Sequence, residues 1–197
     1  MKRICVFCGS SLGGRPIYQE AAQELGKAIA QHQFSLVYGG ANVGLMGVVA
    51  DAVLANGGEV IGVIPEFLVT KELAHAGLTQ IHTVASMHER KALMEELSDA
   101  FIALPGGYGT FEEFCEILTW AQLGLHKKPQ GLLNIEGYYD PLLTLFDNAV
   151  TEQFLKPNLR SLVLEADNPE TLFEKMAAYT PPHADKWQGL PVKPDMM

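Results

Sequence analysis

The sequence predicts an α/β protein with a Rossmann-like, doubly wound sheet that is mostly parallel and carries helices on both faces. Short apolar segments rich in β-branched residues alternate along the chain with longer segments of helical periodicity. Parallel strands need crossover helices, which cover both faces of the sheet that they connect. A glycine cluster follows three of the apolar segments, where this fold makes its strand-to-helix turns. We therefore expect one domain over residues 1–180 and an irregular tail over residues 181–197, which contains four prolines.

Seven short apolar segments are predicted to be strands. In chain order they are Ile4–Phe7, Phe34–Tyr38, Val60–Ile64, Ile81–Val84, Ala100–Leu104, Gly131–Ile135 and Ser161–Glu165. Gly39 stops the second strand, Pro65 stops the third and Pro105 stops the fifth, because glycine and proline both disfavour continued pairing.

Six segments carry the 3.6-residue period of helices that bury one side. In chain order they are Tyr18–Gln31, Leu45–Ala55, His88–Leu97, Thr110–Leu123, Pro141–Glu152 and Glu170–Tyr179. The first places Ala22, Leu25 and Ile29 on one side, and the second ends at a glycine C-cap signal over residues 56–58.

The composition of the 197 residues limits the function classes. A formal net charge of −9 leaves no basic excess to neutralise the phosphates of a nucleic acid. No apolar run approaches the roughly 18–20 residues of a membrane span. We therefore expect a soluble, cytoplasmic protein without nucleic-acid or membrane partners. Cys5 and Cys8 form a C-x-x-C pair, but residues three apart on a strand point to opposite faces, which favours core packing over redox chemistry.

Three glycine clusters follow predicted strands, over residues 9–14, 39–47 and 105–110. Glycine at such turns lets backbone N–H groups approach an anion ahead of a helix N-terminus. Any one cluster is better explained as an ordinary turn, but three at one sheet edge favour phosphate binding. A P-loop is excluded because Leu45-Met46 stand where lysine and serine or threonine are required, and a dinucleotide fingerprint is excluded because Glu112 occupies its third glycine position.

Two adjacent cations stand at the start of the helix before the third glycine cluster. Arg90 and Lys91 could hold a phosphate or ribose oxygens, although their spacing alone fits a solvated helix face better. No metal site is predicted, because the histidines show no metal-ligand spacing with aspartate, glutamate or cysteine: His75, His82, His88 and His126.

The helix after the third glycine cluster carries three carboxylates. Its predicted buried face consists of apolar residues: Phe111, Phe114, Cys115, Leu118 and Ala121. Glu112 and Glu116 then point away from that face, whereas Glu113 lies at its boundary, one turn into the helix. Glu113 could complement the helix dipole, or it could face a ligand crevice and act in acid–base or oxocarbenium-stabilising chemistry, and the geometry leaves both open.

Residues 105–113, with the sequence PGGYGTFEE, match the signature P-G-G-x-G-T-x-x-E of the LOG ("Lonely Guy") family. Members of this family are cytokinin riboside 5′-monophosphate phosphoribohydrolases, and they are often mislabelled as lysine decarboxylases. Further matches lie over residues 6–11, 38–47, 87–91 and 119–124. The chain therefore resembles this family from residue 3 to about residue 180.

The resemblance implies hydrolysis of the N-glycosidic bond of a cytokinin riboside 5′-monophosphate, with AMP as a further candidate substrate, to the free base and ribose 5-phosphate. It also implies a Rossmann-like homodimer with its sites near the subunit interface, and no cofactor. Arg90 and Glu113 match the catalytic pair of the family. Its substrate contacts are matched by Glu72, Lys91, Gly107, Tyr108, Gly109, Thr110 and Thr119. The glycine clusters add further candidate substrate-binding residues, which are Gly9, Ser10, Gly39, Gly40, Gly44, Met46 and Gly106.

Two other functions compete with this interpretation. A lysine decarboxylase would need pyridoxal phosphate on a lysine, and no lysine has that context. A non-catalytic nucleotide sensor with the same fold would keep the glycine loops but would not need Arg90 together with Glu113. The presence of both residues favours the enzyme.

Overall fold

The computed structural model of the chain describes residues 1–69 and 74–182. Glu72 and the part of the predicted tail that begins at residue 183 lie outside these described residues. Within the described ranges, no helix is both long enough and apolar enough to cross a membrane.

The described residues form one parallel sheet of seven strands. These are β1 (Arg3–Phe7), β2 (Ser35–Tyr38), β3 (Val60–Pro65), β4 (Gln80–Val84), β5 (Ala100–Ala103), β6 (Gln130–Leu133) and β7 (Val163–Ala166). All seven predicted strands are confirmed to within two residues at either end. Their order across the sheet is β4-β3-β2-β1-β5-β6-β7, so the direction of winding reverses between β1 and β5. At such a reversal a crevice opens beyond the carboxyl ends of the strands.

Helices connect the strands along the described ranges. They are α1 (Pro16–Gln31), α2 (Gly44–Ala55), α3 (Glu66–Val69), α4 (Met87–Leu97), α5 (Tyr108–Gln122), α6 (Asp140–Thr151), α7 (Pro157–Arg160) and α8 (Pro169–Ala177). The six predicted helices are confirmed, whereas α3, α7 and a 3₁₀ turn over Ile135–Gly137 were not predicted. Each of these three is at most four residues long, which is too short to show a helical period.

The sheet is covered on both faces, as the alternating pattern predicts. The helices α1, α2 and α8 pack on one face, whereas α4, α5 and α6 pack on the other. Cys5 belongs to the core on the α4 face and Cys8 to the core on the α1 face, and both are free thiols. The prediction that these two cysteines serve core packing on opposite faces is therefore confirmed.

The three glycine clusters pack against one another at the carboxyl ends of the strands. The Gly9 N–H donates to the Pro105 carbonyl over 3.1 Å, and the Leu45 N–H donates to the Gly9 carbonyl over 3.0 Å. Gly44 has a φ of +53°, and a Cβ there would overlap the Ser10 backbone. The second cluster therefore supports the first, and only glycine fits at the point of contact.

Replacement of Gly44 by alanine should lower the free energy of unfolding by about 2–4 kcal/mol, since it adds backbone strain and a clash with the Ser10 backbone. Denaturant unfolding followed by circular dichroism measures this loss. Gly57→Ala is the matched control, because its φ is +76° but no atom lies within 4 Å of the added carbon. Strain alone should cost the control about 1–2 kcal/mol, and equal losses in the two variants would contradict the packing of the loops.

Candidate active site

A cavity of about 220 Å³ opens at the carboxyl ends of β1 and β2, beside the N-terminus of α5. It lies at the reversal of strand order, where ligands bind in this fold. Ten of the predicted site residues line it: Gly9, Ser10, Gly39, Met46, Arg90, Gly107, Tyr108, Gly109, Thr110 and Glu113. The structure therefore gathers parts of all three glycine clusters and both predicted catalytic residues around one space.

Arg90 lies in the first turn of α4 and is 7% exposed. The Ser86 hydroxyl caps this helix by accepting a hydrogen bond from the Glu89 N–H over 3.2 Å, which fixes where the first turn begins. The Arg90 Nε donates to the Val63 carbonyl over 3.2 Å, and its Nη1 donates to Glu113 Oε1 over 3.0 Å. The guanidinium is thus held between the end of β3 and α5.

Gly39 makes room for this guanidinium. A Cβ at Gly39 would overlap Nη2 of Arg90 and would lie 2.5 Å from the Cε atom of Met46. Gly39 follows β2 directly, so the absence of a side chain there leaves a space between the end of the strand and α4. A side chain at this position would therefore displace the Arg90 guanidinium from the place in which it meets Glu113.

Glu113 is buried on the sheet side of α5, with its side chain 11% exposed. Burial raises the pKa of the Glu113 carboxyl above its ordinary value, although the Arg90 guanidinium works in the opposite direction. The Glu112 carboxylate also raises this pKa, whereas the Lys91 ammonium lowers it. Glu113 is therefore a carboxyl group that is poorly solvated and held in one place by a fixed positive charge.

The predicted orientation of α5 needs a correction. Its buried residues are Thr110, Glu113, Phe114, Ile117 and Ala121, whereas Phe111, Cys115 and Leu118 are only partly buried. Phe111 and Leu118 pack beside the core residues of α6, and the Phe111 ring meets the Tyr139 ring edge-on at 6.4 Å. The apolar stripe therefore marks a helix–helix contact as well as the sheet, and Glu113 lies inside the buried face instead of at its boundary.

The N-terminus of α5 supplies a site for an anion. Gly107 is the N-cap residue, and Gly107 and Gly109 both have open space where a Cβ would stand. The first N–H groups of a helix have no partner within the helix, and the helix dipole adds positive potential there. Because the glycines leave this backbone uncovered inside the cavity, a phosphate can approach it directly.

Several predicted site residues lie outside this cavity. Gly106 lines an adjacent cavity of about 280 Å³, while the Gly40 carbonyl accepts a hydrogen bond from the His75 N–H over 2.9 Å. Thr119 lines a separate apolar cleft between α5, α6 and α7.

Three further predicted site residues also do not line the cavity as described. Lys91 donates to two carboxylates on α5 and does not line the cavity. Gly44 supports the first glycine loop, as described above, and Glu72 is not among the described residues.

Four residues of the cavity were not predicted as site residues from the sequence: Val6, Phe7, Cys8 and Met94. Met94 lies one helical turn after Arg90 on α4. The i, i+4 spacing of Met94 from Arg90 was the available signal. Burial raises the pKa of the Cys8 thiol far above its ordinary value, and the nearby Glu113 adds to this effect, so Cys8 presents a neutral thiol.

A cavity that combines an anion site with a buried carboxylate on the same helix is typical of enzymes that act on phosphorylated small molecules. Comparisons with known proteins define the family more closely. The profile of the family described as "Possible lysine decarboxylase" matches residues 46–176. A probable cytokinin riboside 5′-monophosphate phosphoribohydrolase of Oryza sativa subsp. japonica, LOGL2, is 53% identical over 92% of this chain and 75% of its own length.

Further relatives agree with this. The cytokinin riboside 5′-monophosphate phosphoribohydrolase LOG7 of Arabidopsis thaliana is 52% identical over 91% of this chain and 83% of its own length. The chain belongs to this phosphoribohydrolase family, known as the LOG family, and it is an enzyme. The words "lysine decarboxylase" come from the description of the family profile, whereas these relatives are named as phosphoribohydrolases.

Solved structures of more distant proteins share the fold. The structure of TM1055 has a TM-score of 0.70 at 21% identity and covers 91% of this chain and 100% of its own. The molybdenum cofactor binding protein of Rippkaea orientalis has a TM-score of 0.68 at 24% identity and covers 90% of this chain and 97% of its own. At these identities the likeness concerns the fold alone.

The Glu113 carboxyl should titrate above the ordinary glutamic acid pKa, and higher still in the Gly39→Ala variant. The added methyl group displaces the Arg90 guanidinium, and loss of that positive charge favours the protonated carboxyl. Carbon-13 NMR of the side-chain carboxyl across a pH series measures both values. Gly14→Ala is the control, since nothing lies within 4 Å of its added carbon. A Glu113 pKa in Gly39→Ala at or below the wild-type value would contradict the assigned role of Gly39.

Proposed function

We propose that this chain hydrolyses the N-glycosidic bond of cytokinin riboside 5′-monophosphates, and of AMP, to the free base and D-ribose 5-phosphate. The observation that carries the proposal is the Arg90–Glu113 pair, which lies in the same cavity as the α5 N-terminus. Glu113 follows Gly109 by four residues, just over one helical turn, which is a rise of about 6 Å. A phosphate at the start of α5 would therefore place the ribose beside the carboxylate.

The 5′-phosphate would bind to the N–H groups over residues 107–110. These groups and the positive end of the helix dipole favour a dianion without a lysine or arginine at the same point. Thr110 is buried against Gly106, where a Cβ would overlap the threonine hydroxyl. This close packing keeps the first turn of α5 in place beneath the phosphate.

The reaction breaks the C1′–N9 bond, and the electron pair of that bond leaves with the base. Positive charge develops at C1′, and the Glu113 carboxylate would stabilise this charge or orient the attacking water. The water oxygen bonds to C1′, and one water proton ends on the departing base. Arg90 would hold the carboxylate in position and help to polarise the leaving base.

Lysine decarboxylation does not fit this cavity. Pyridoxal phosphate chemistry requires a lysine amine that can form an imine with the cofactor. No lysine is among the described residues that line the cavity, and the Lys91 ammonium is bound by two carboxylates elsewhere. The residues present therefore do not match that cofactor, and no step is assigned to it.

We also propose that the enzyme is a homodimer that uses the apolar cleft between α5, α6 and α7. Thr119, a predicted substrate contact, lines this cleft and not the cavity of its own subunit. Phe154 is 89% exposed and stands beside the cleft residue Leu155. In a two-fold dimer both subunits present the same patch, so the Phe154 ring of each subunit would pack into the apolar cleft of the other.

We expect the enzyme to work in the cytoplasm without nucleic-acid partners. The three cysteines of the chain are free thiols in the structure, which suits a reducing compartment. The net charge of −9 opposes binding to the phosphate backbone of a nucleic acid.

The wild-type protein should release free base from isopentenyladenosine 5′-monophosphate and from AMP, with products resolved by HPLC. Glu113→Gln should lower the rate of release by about 100- to 1000-fold, because the neutral amide cannot stabilise charge at C1′. The relative rates on the two nucleotides will show whether the N6 substituent is preferred.

Glu96→Gln is the control for this experiment, because Glu96 is an exposed carboxylate on α4 outside the cavity. It should retain the wild-type rate. Unchanged turnover in Glu113→Gln would contradict the assigned role of the carboxylate. Binding of both nucleotides without base release by the wild type would instead indicate a nucleotide sensor.

Sedimentation velocity at micromolar concentration should give the mass of a dimer for the wild type. Phe154→Ser removes the exposed ring and should shift the protein towards the monomer. Ile81→Thr is the comparison variant, because it removes an exposed apolar side chain from β4, at the far edge of the sheet. A monomeric wild type, or equal dissociation of the two variants, would contradict this interface.

A further inference from the structure

Lys91 has a different environment from its neighbour Arg90. Its side chain is 10% exposed, and its Nζ donates to Glu112 Oε1 over 2.5 Å and to Glu116 Oε1 over 3.0 Å. Burial alone would lower the pKa of the ammonium, but hydrogen bonds to the two carboxylates outweigh this effect and raise the pKa. Lys91 is therefore a charged side chain whose ion pairs with Glu112 and Glu116 form a bridge between α4 and α5.

The bridge stands next to the catalytic pair in both helices. Lys91 directly follows Arg90 on α4, and Glu112 directly precedes Glu113 on α5. The same two helices are thus joined by an inner ion pair that lines the cavity and an outer one that does not. A shift of α4 along α5 would lengthen both contacts together.

We propose that Lys91 is a positioning residue, which ties α4 to α5 through Glu112 and Glu116 and so keeps the Arg90 guanidinium against the Glu113 carboxylate. This inference rests on the proposed function, because it concerns the same site. It differs from the role that the family resemblance gives to Lys91, which is direct contact with the substrate. The two roles require different positions of Nζ, and in the structure Nζ lies on the carboxylates and outside the cavity.

The charges around Glu113 make the two roles separable. Arg90 and Lys91 act on it from α4 and Glu112 from its own helix, while the Cys5 thiol of β1 and the Cys8 thiol directly after β1 lie near it. Neutralising Glu112 removes a negative neighbour, which by itself lowers the pKa of Glu113. Loss of the bridge would instead move Arg90 away, and the larger effect of Arg90 would raise that pKa.

The first test compares Lys91→Met and Lys91→Arg on isopentenyladenosine 5′-monophosphate. Lys91→Met should lower kcat by about 10- to 100-fold, as expected when a catalytic group is misplaced by about 1 Å, with little change in KM. Lys91→Arg should recover most of kcat, because arginine can also bridge two carboxylates. Calorimetric binding of ribose 5-phosphate should be unchanged in Lys91→Met. A weakened ribose 5-phosphate affinity with unchanged kcat would overturn the proposal in favour of phosphate contact.

The second test removes the carboxylate side of the bridge in the double variant Glu112→Gln/Glu116→Gln. Its kcat should fall to a similar extent, and addition of Lys91→Met should cause no further loss, because all three residues act through one contact. The carbon-13 titration of Glu113 in the double variant should move to higher pH. Wild-type kcat in the double variant, or a Glu113 pKa that moves down, would overturn the proposal.

The NMR readout keeps this inference separate from the proposed function. If the wild type released no base, the proposed function would fail, yet the Glu113 titration would still report whether the bridge holds Arg90 in place. An upward shift in the double variant would support the bridge in either case.

Discussion

Inside the protein the Arg90 guanidinium favours the ionised form of Glu113, because it donates a hydrogen bond to this carboxylate over 3.0 Å. Removal of either charge from water costs several kcal/mol, on the order expected for buried ions, and only a close partner with good geometry offsets that cost. The two residues come from different helices, so the sheet must bring α4 and α5 together near the carboxyl ends of its strands. The Val63 carbonyl accepts a hydrogen bond from the guanidinium, and the missing side chain at Gly39 leaves the space that the guanidinium occupies.

The second and third glycine clusters have different roles in the site. The third cluster leaves the N–H groups of α5 uncovered, whereas the second provides close contacts: Gly44 packs on the first cluster and Gly39 on Arg90. A cluster that looks like a phosphate loop can thus serve the site by supporting other parts of it. The local sequence does not distinguish these roles, because glycine permits close approach of a ligand and close approach of a protein atom equally well.

The order and type of the long elements could be predicted because burial imposes a period of two on strands and 3.6 on helices. The cavity could also be predicted in outline, since parallel strands deliver their carboxyl ends to one edge. The side of α5 that carries Glu113 could not be predicted correctly, because α5 packs against both the sheet and α6, and a stripe of apolar residues does not say which contact it serves. The pairing of Lys91 with Glu112 could not be predicted from the sequence either, because the partners lie on different helices that meet only in the tertiary fold.

The raised pKa of Glu113 and its proposed role have a common cause. A carboxylate surrounded by few water molecules stabilises a nearby cation more strongly than a solvated one, because little of its charge is screened. The same burial favours the protonated form, which cannot stabilise a cation at all. A partner cation resolves this conflict if it keeps the carboxylate ionised without filling the place of the substrate. Arg90 favours the ionised carboxylate and leaves that place free, since it approaches Glu113 Oε1 from α4 while the cavity between Glu113 and the start of α5 remains open.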